Sequence, residues 1–203
     1  AGRTATAITA SAAHSCAILD DGSATCWGGD NQGQLGNGAT SGNQPSPVAV
    51  NLPVGRTARA ISAGSNDTCA VLDDGSAWCW GDDTNGKLGN GATAGFQLDP
   101  SPVQLPVGRT AVAIAAAISH TCAILDDGSA RCWGSDANGR LGNGAGTTAD
   151  QDAPSLVELP AGRTAVAIAV TDGHSCAILD DGSAWCWGSD ALGQLGNGAT
   201  TGD

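Results

Sequence analysis

The sequence predicts an all-β fold of tandem four-stranded antiparallel blades, β-propeller-type repeats in one continuous repeat domain. Three observations carry that expectation. The tetrapeptide Gly-Arg-Thr-Ala begins at Gly2, Gly55, Gly108 and Gly162, at spacings of 53, 53 and 54 residues. Short apolar stretches alternate with Gly- and Asp-rich turns along every copy. No stretch shows a helical period with caps.

Within a copy the elements follow in order. Residues 111–116 read as a strand of small residues, and residues 120–125 and 129–133 as two more joined by Asp126-Asp127-Gly128. Residues 102–105 read as a fourth strand, whose prolines suit a sheet edge. The first three copies close with a Pro/Ser segment and a short apolar strand, at 45–53, 100–106 and 154–160. The copies are bounded at 1–54, 55–107, 108–161 and 162–203, the last lacking the final outer strand.

One blade cannot bury both of its faces, so neighbouring copies must cover them. Trp27, Trp80, Trp133 and Trp187 recur in register and read as core between blades. Trp78 and Trp185 lie two residues before their Trp-Gly tryptophans and so share their faces. The sequence leaves open whether the copies form an open four-blade array or part of a larger propeller or fibre.

The cysteines are paired by the hairpin. A three-residue loop prefers a type I turn followed by a left-handed residue, usually Gly. Asp20-Asp21-Gly22 meets this with Gly22 at the left-handed position, pairing Leu19 with Ser23. That register sets Cys16 opposite Cys26, within disulfide reach. It likewise pairs Cys69 with Cys79, Cys122 with Cys132 and Cys176 with Cys186, using all eight cysteines. Gly22, Gly75, Gly128 and Gly182 are expected at positive φ. Four bridges point to an oxidising compartment, so the expected location is extracellular or the cell surface.

The chain carries 20 acidic and 8 basic residues, a net charge of −12. Such a chain repels phosphate backbones and anionic surfaces, so neither nucleic acid nor membrane is an expected partner. No apolar run is long enough to span a bilayer.

The run His120-Thr121-Cys122-Ala123 through Trp133-Gly134, followed by Asp136, Gly139, Leu141 and Gly142, resembles the regulator of chromosome condensation repeat. The resemblance covers all four copies, and the cysteine-containing form is similar to versions in secreted bacterial proteins. It implies a propeller, usually of seven blades with four strands each. It implies no single function, since members include a nucleotide exchange factor and proteins that bind or inhibit others. Four acidic, cysteine-clipped copies depart from the exchange factor, and no functional residue is carried over from it.

Candidate sites are few. His14, His120 and His174 share one repeat position, where the second copy has Asp67. Each His is expected to bond a backbone group within its own blade. The Asp-Asp-Gly turns set eight carboxylates along one rim, as turn chemistry requires. The run from Asp82 to Gly86 resembles a calcium loop but lacks the alternating ligands and the closing Glu. Asn66-Asp67-Thr68 is the one Asn-x-Ser/Thr triplet and makes Asn66 the candidate glycan acceptor. The Ser/Thr/Pro segments 40–47 and 147–155 suit O-glycans by composition.

No metal, cofactor or catalytic set is expected. The sequence points to a non-enzymatic extracellular scaffold that associates with itself head to tail as a structural or filament subunit. Its start resembles residues 161–164, and its end stops where a closing strand would follow. The alternative is a secreted propeller that binds or inhibits another protein through its rim loops.

Overall fold

The structure, a computed structural model, describes residues 2–40, 42–93, 95–144 and 149–200. Blade 1 contains β1 (Ala5–Ala10), β2 (His14–Leu19), β3 (Ala24–Gly28) and β4 (Gln44–Ala49). Blade 2 contains β5 (Ala58–Ala63), β6 (Asp67–Leu72), β7 (Ala77–Asp82) and β8 (Phe96–Pro102). Blade 3 contains β9 (Ala111–Ala116), β10 (His120–Leu125), β11 (Ala130–Gly134) and β12 (Gln151–Leu156). Blade 4 contains β13 (Ala165–Val170), β14 (His174–Leu179) and β15 (Ala184–Gly188). Each sheet is an antiparallel meander in chain order, and among the described residues only single 3₁₀ turns at Thr84–Gly86 and Ala137–Gly139 interrupt the loops.

The central hairpins follow from their turns. Leu19 N–H donates to the Ser23 carbonyl at 2.8 Å, and Gly22 has φ of 77°. Cys16 then faces Cys26 and is bonded to it, with Cα atoms 4.0 Å apart. The pairs Cys69–Cys79, Cys122–Cys132 and Cys176–Cys186 repeat this arrangement.

The outer strand differs from expectation. It lies at Phe96–Pro102 in blade 2, before residues 102–105. The Pro/Ser stretch pairs with β7, because an outer strand needs hydrogen bonds on one side alone and tolerates Pro100 and Pro102. The apolar residues that follow leave the sheet, and Val50, Val103 and Val157 plug the spaces between blades.

Alternation along the strands gives each blade two working faces. Cys16, Ile18 and Cys26 look forward onto Ala58, Ala70, Leu72 and Trp80 of blade 2. Cys69, Val71 and Cys79 look onto Trp133, and Cys122, Ile124 and Cys132 onto Trp187. The disulfides therefore lie in the cores between blades. The end blades keep the same faces uncovered. Ile178 is 47% exposed where Ile18, Val71 and Ile124 are 2–3% exposed, and Ile8 is 71% exposed where Ile114 is 9%.

Candidate binding surface at the blade junctions

Each junction is fastened by one backbone carbonyl in the loop after the third strand. The Gln34 carbonyl of blade 1 accepts the Trp80 indole N–H and the Thr68 hydroxyl of blade 2, both at 2.9 Å. Lys87 accepts from Trp133 and Thr121 of blade 3, and Arg140 from Trp187 and Ser175 of blade 4. The indole needs a flat seat. Glycine supplies it: a Cβ on Gly36 would come within 2.7 Å of Trp80 Nε1. Gly89 and Gly142 seat Trp133 and Trp187 in the same way.

His14 and His120 act across these junctions, and His174 on the end blade bonds the Thr171 hydroxyl of its own blade at 2.9 Å, which corrects the expectation of a backbone partner for each ring. His14 Nε2 is 2.7 Å from Thr68 Oγ1, and His120 Nε2 is 2.8 Å from Ser175 Oγ. Each hydroxyl spends its proton on the carbonyl, so its oxygen accepts from the imidazole N–H. Burial lowers His14 to about 4 and His120 to about 3, keeping both rings neutral near pH 7. The hydroxyl at the same repeat position in every copy was the sequence signal for this bond.

Blade 2 replaces that histidine with Asp67, and two further residues change with it. Lys87 Nζ lies 2.8 Å from Asp82 and 3.3 Å from Asp67, and donates to the Ile118 carbonyl of blade 3 at 3.0 Å. All three side chains are nearly or fully buried. Burial raises the Asp67 carboxyl to about 7 against the pull of Lys87, while Asp82 and Lys87 hold each other ionised. The run 82–86 is thus an ion-paired junction.

At the other end of the blades the Asp-Asp-Gly turns are alike. Asp21 accepts from the Ser23 N–H and hydroxyl and pairs with Arg3 at 2.6 Å. Arg56, Arg109 and Arg163 pair with the turns of their own blades in the same manner. These bonds hold the Asp21, Asp74, Asp127 and Asp181 carboxyls below their ordinary range, the Ser bond foremost. Among the described residues no group of three His, Cys, Asp or Glu could hold a metal.

Asn66 is half buried and lines a cleft of about 580 Å³ between blades 1 and 2. A smaller depression of about 250 Å³ lies where the inner strands β1, β5, β9 and β13 end, with Ala63, Ala117, Ile118 and Val170 in its wall. Of the O-glycan segments, residues 41 and 147–148 lie outside the described residues, as do the chain-end residues 1 and 201–203 of the head-to-tail expectation. No helix is long and apolar enough to cross a membrane among the described residues.

The family model for the regulator of chromosome condensation (RCC1) repeat matches residues 21–71, 74–124 and 127–178. A second model of the same description matches 5–34, 58–87, 111–140 and 165–194. Human E3 ubiquitin-protein ligase HERC2 is 32% identical over 96% of the chain and 4% of its own length. The ultraviolet-B receptor UVR8 of Arabidopsis thaliana is 31% identical over 94% of the chain and 43% of its own. The chain thus spans less than half of either relative. Among solved structures, human WBSCR16 matches with a TM-score of 0.88 at 19% identity, over 98% of this chain and 51% of that one. Yeast RCC1 (Prp20), solved bound to Kap60, matches with a TM-score of 0.85 at 19% identity, over 100% and 48%. The four blades follow the curvature of about half of such a propeller.

Proposed function

The chain belongs to the regulator of chromosome condensation (RCC1) repeat family, and on that premise we propose that it forms an arc of a non-enzymatic, extracellular propeller that holds another protein at the variable end of its junctions. One observation carries this. The Asp-Asp-Gly end of the blades is the same from copy to copy. The opposite end carries Asn31, Thr84, Ala137 and Ala191 at one repeat position, and Gln32, Asn85, Asn138 and Leu192 at the next, none of them buried. A scaffold that only repeats needs no such differences, whereas a surface that selects a partner does. The yeast relative solved with Kap60 and the plant relative named as a receptor support a binding role. Four disulfides support an oxidising location.

A photo-reactive residue placed at 137, on the variable end, or at 126, on the turn end, tests the reading in the source's extracellular fluid. A covalent protein adduct at 137 and none at 126 is expected. Adducts at neither site, or at 126 alone, would sink it.

A second reading, head-to-tail association, rests on the uncovered faces that hold Ile8 and Ile178. Their counterparts at the internal junctions are the cores on which blades stack. Unlike faces that fit one another close into a ring or extend into a fibre. Further blades on these faces, from the same polypeptide or a second copy, would complete the structure. A native-mass measurement decides between a 19.8 kDa monomer, a closed assembly and a fibre. A monomer that stays monomeric at high concentration removes this reading.

A further inference from the structure

Blade 2 departs from its siblings at four positions that meet in one place. Gly64 stands where the other copies have Ser11, Ala117 and Thr171, and Asp67 where they have histidine. Asp82 stands where they have Gly29, Ser135 and Ser189, and Lys87 where they have Gln34, Arg140 and Gln194. Lys87 is the one lysine of the chain. Asp67 opens β6 and Asp82 closes β7, so the antiparallel pairing of these strands brings both carboxyls to the same end of the sheet. Gly64 makes the room: a Cβ there would lie 2.5 Å from Asp67 Oδ1 and 2.6 Å from Oδ2.

Stability alone is a poor reason for such a cluster. Desolvation of buried charges offsets much of their attraction. The first and third junctions hold with a neutral imidazole at the position of Asp67.

The two carboxyls are prepared for different work. Among the described residues neither Asp67 oxygen accepts a hydrogen bond of good geometry, and Lys87 Nζ stands 3.3 Å from Oδ1. Burial pushes this carboxyl up to about 7, so below that pH it is a neutral acid, the form an amine can attack. Asp82 instead accepts from the Thr84 hydroxyl at 2.7 Å and from Lys87 Nζ at 2.8 Å. Burial opposes its charge, yet the bonds from Lys87 and Thr84 hold it below its ordinary range, as a carboxylate able to take a proton. Lys87 also donates to the Ile118 carbonyl, which fixes Nζ between the two acids. An amine, a neutral carboxyl at near-attack distance and a proton carrier in contact are the parts of amide formation.

We propose that Lys87 and Asp67 condense spontaneously into a side-chain amide, an isopeptide cross-link within blade 2, with Asp82 carrying the proton. Lys87 first gives one ammonium proton to the Asp82 carboxylate across their 2.8 Å contact. Nζ then attacks Cγ of the Asp67 acid. The C–N bond forms and the C–O bond to the hydroxyl breaks. A second nitrogen proton leaves with that hydroxyl as water. The amide keeps the third, and Asp82 ends as a neutral acid. The step needs no oxidant or reductant. Burial favours the product, because two buried charges give way to neutral groups. Once linked, Asp67 no longer titrates, so its pH dependence belongs to the unlinked chain. The proposal does not depend on the protein-binding reading.

The test weighs the whole chain, purified folded and then fully reduced. A mass one water below that of the sequence is expected. Chymotryptic cleavage at Trp78 and Trp80 separates the two residues along the sequence. The linked chain should therefore yield one branched peptide holding Asp67 and Lys87. Each variant copies a sibling blade. Lys87→Arg keeps the charge without the amine, and Asp67→His removes the carboxyl, so both should show the full mass. Asp82→Ser removes the proton carrier and should link about a hundredfold more slowly, timed after cell-free synthesis, the size of a general acid–base contribution. A Lys87→Arg chain with the wild-type near-ultraviolet dichroism shows that a missing link is not a missing fold. Dehydration at the Asp-Gly turns loses the same mass, but it would persist in Lys87→Arg and leave no branched peptide. Full mass in the aged wild-type chain, a water loss that persists in Lys87→Arg, or linkage of Asp82→Ser at the wild-type rate would each overturn the proposal. The wild-type mass and the branched peptide decide the matter even where a variant fails to fold.

Discussion

Gly75 and Thr110 meet so closely across the junction of blades 2 and 3 that a Cβ on the glycine would lie 2.5 Å from the Cβ of the threonine. The Gly75 carbonyl also accepts the Ala111 N–H at 2.8 Å. Gly22 meets Thr57 and Gly128 meets Thr164 in the same way, while Gly182 at the uncovered end meets nothing. The turn glycine therefore serves its own hairpin and the next blade together.

Alanine substitutions separate these two roles. Gly182→Ala should cost only the left-handed penalty, roughly 1–2 kcal/mol. Gly75→Ala adds a clash with the Thr110 Cβ and should cost about 2 kcal/mol more. Thermal or urea unfolding of the two variants measures the difference. Equal losses would mean that the contact with Thr110 carries no weight.

The junction hydroxyls should also differ. Thr121→Val removes one donor from a carbonyl that Trp133 still satisfies, at a cost of about 1 kcal/mol. Thr68→Val leaves the Gln34 carbonyl with Trp80 but strands the buried His14 Nε2 as well. It should cost about 2 kcal/mol or more. Chemical denaturation of both variants checks the order, and the reverse order would contradict the proton path from His14 to Gln34.

Acid stability should follow the buried histidines. Their folded pKa values, about 4 for His14 and about 3 for His120, lie below the ordinary 6.5. The unfolded chain therefore binds more protons, so their contribution is complete above about pH 6.5 and is lost as pH falls through 4 and 3. Asp67 runs the other way. Its carboxyl is raised from 3.8 to about 7, so its contribution is complete below about pH 4 and is lost as pH rises through 7. His120→Gln should flatten the acid fall in melting temperature, and Asp67→Asn the loss between about pH 4 and 7. Profiles unchanged in both variants would contradict the burial of these groups.

The bridges should differ in access. Cys176 and Cys186 are half buried, whereas the other six cysteines are fully buried between blades. Mild reduction followed by alkylation and peptide mapping should label 176 and 186 first. Loss of that bridge should cost roughly 2–3 kcal/mol by loop entropy. Labelling of Cys69 or Cys122 ahead of it would place the uncovered face elsewhere.

Much of the blade was legible in the sequence because its geometry is local. Asp20-Asp21-Gly22 closes a three-residue loop, and that loop alone sets Leu19 against Ser23 and hence Cys16 against Cys26. The recurrence of the Trp-Gly tryptophan identified the inter-blade core for Trp80, Trp133 and Trp187 for the same reason, since a repeated unit must bury a repeated surface, whereas Trp27 on the first blade lies outside these cores and is half buried. The outer strand was misplaced because the apolar residues 102–105 were read as the strand, whereas the preceding Pro/Ser stretch pairs with β7 on an outer edge that needs hydrogen bonds from one side only.

The tertiary structure decided what lies between copies. His14 finds Thr68, and Trp80 finds the Gln34 carbonyl, across separations of 54 and 46 residues. No single copy contains either pair, so no pattern within a copy reveals them. Lys87 and Asp67 are the departures of one blade from its siblings, and only packing brings them within 3.3 Å of each other. The cleft at Gly29 and Gln34 likewise comes from two small, neutral residues meeting a neighbouring blade. The sequence determined each blade because turns and alternation act over a few bonds. The junctions were decided by folding, because their chemistry depends on which side chains two separately formed sheets bring face to face.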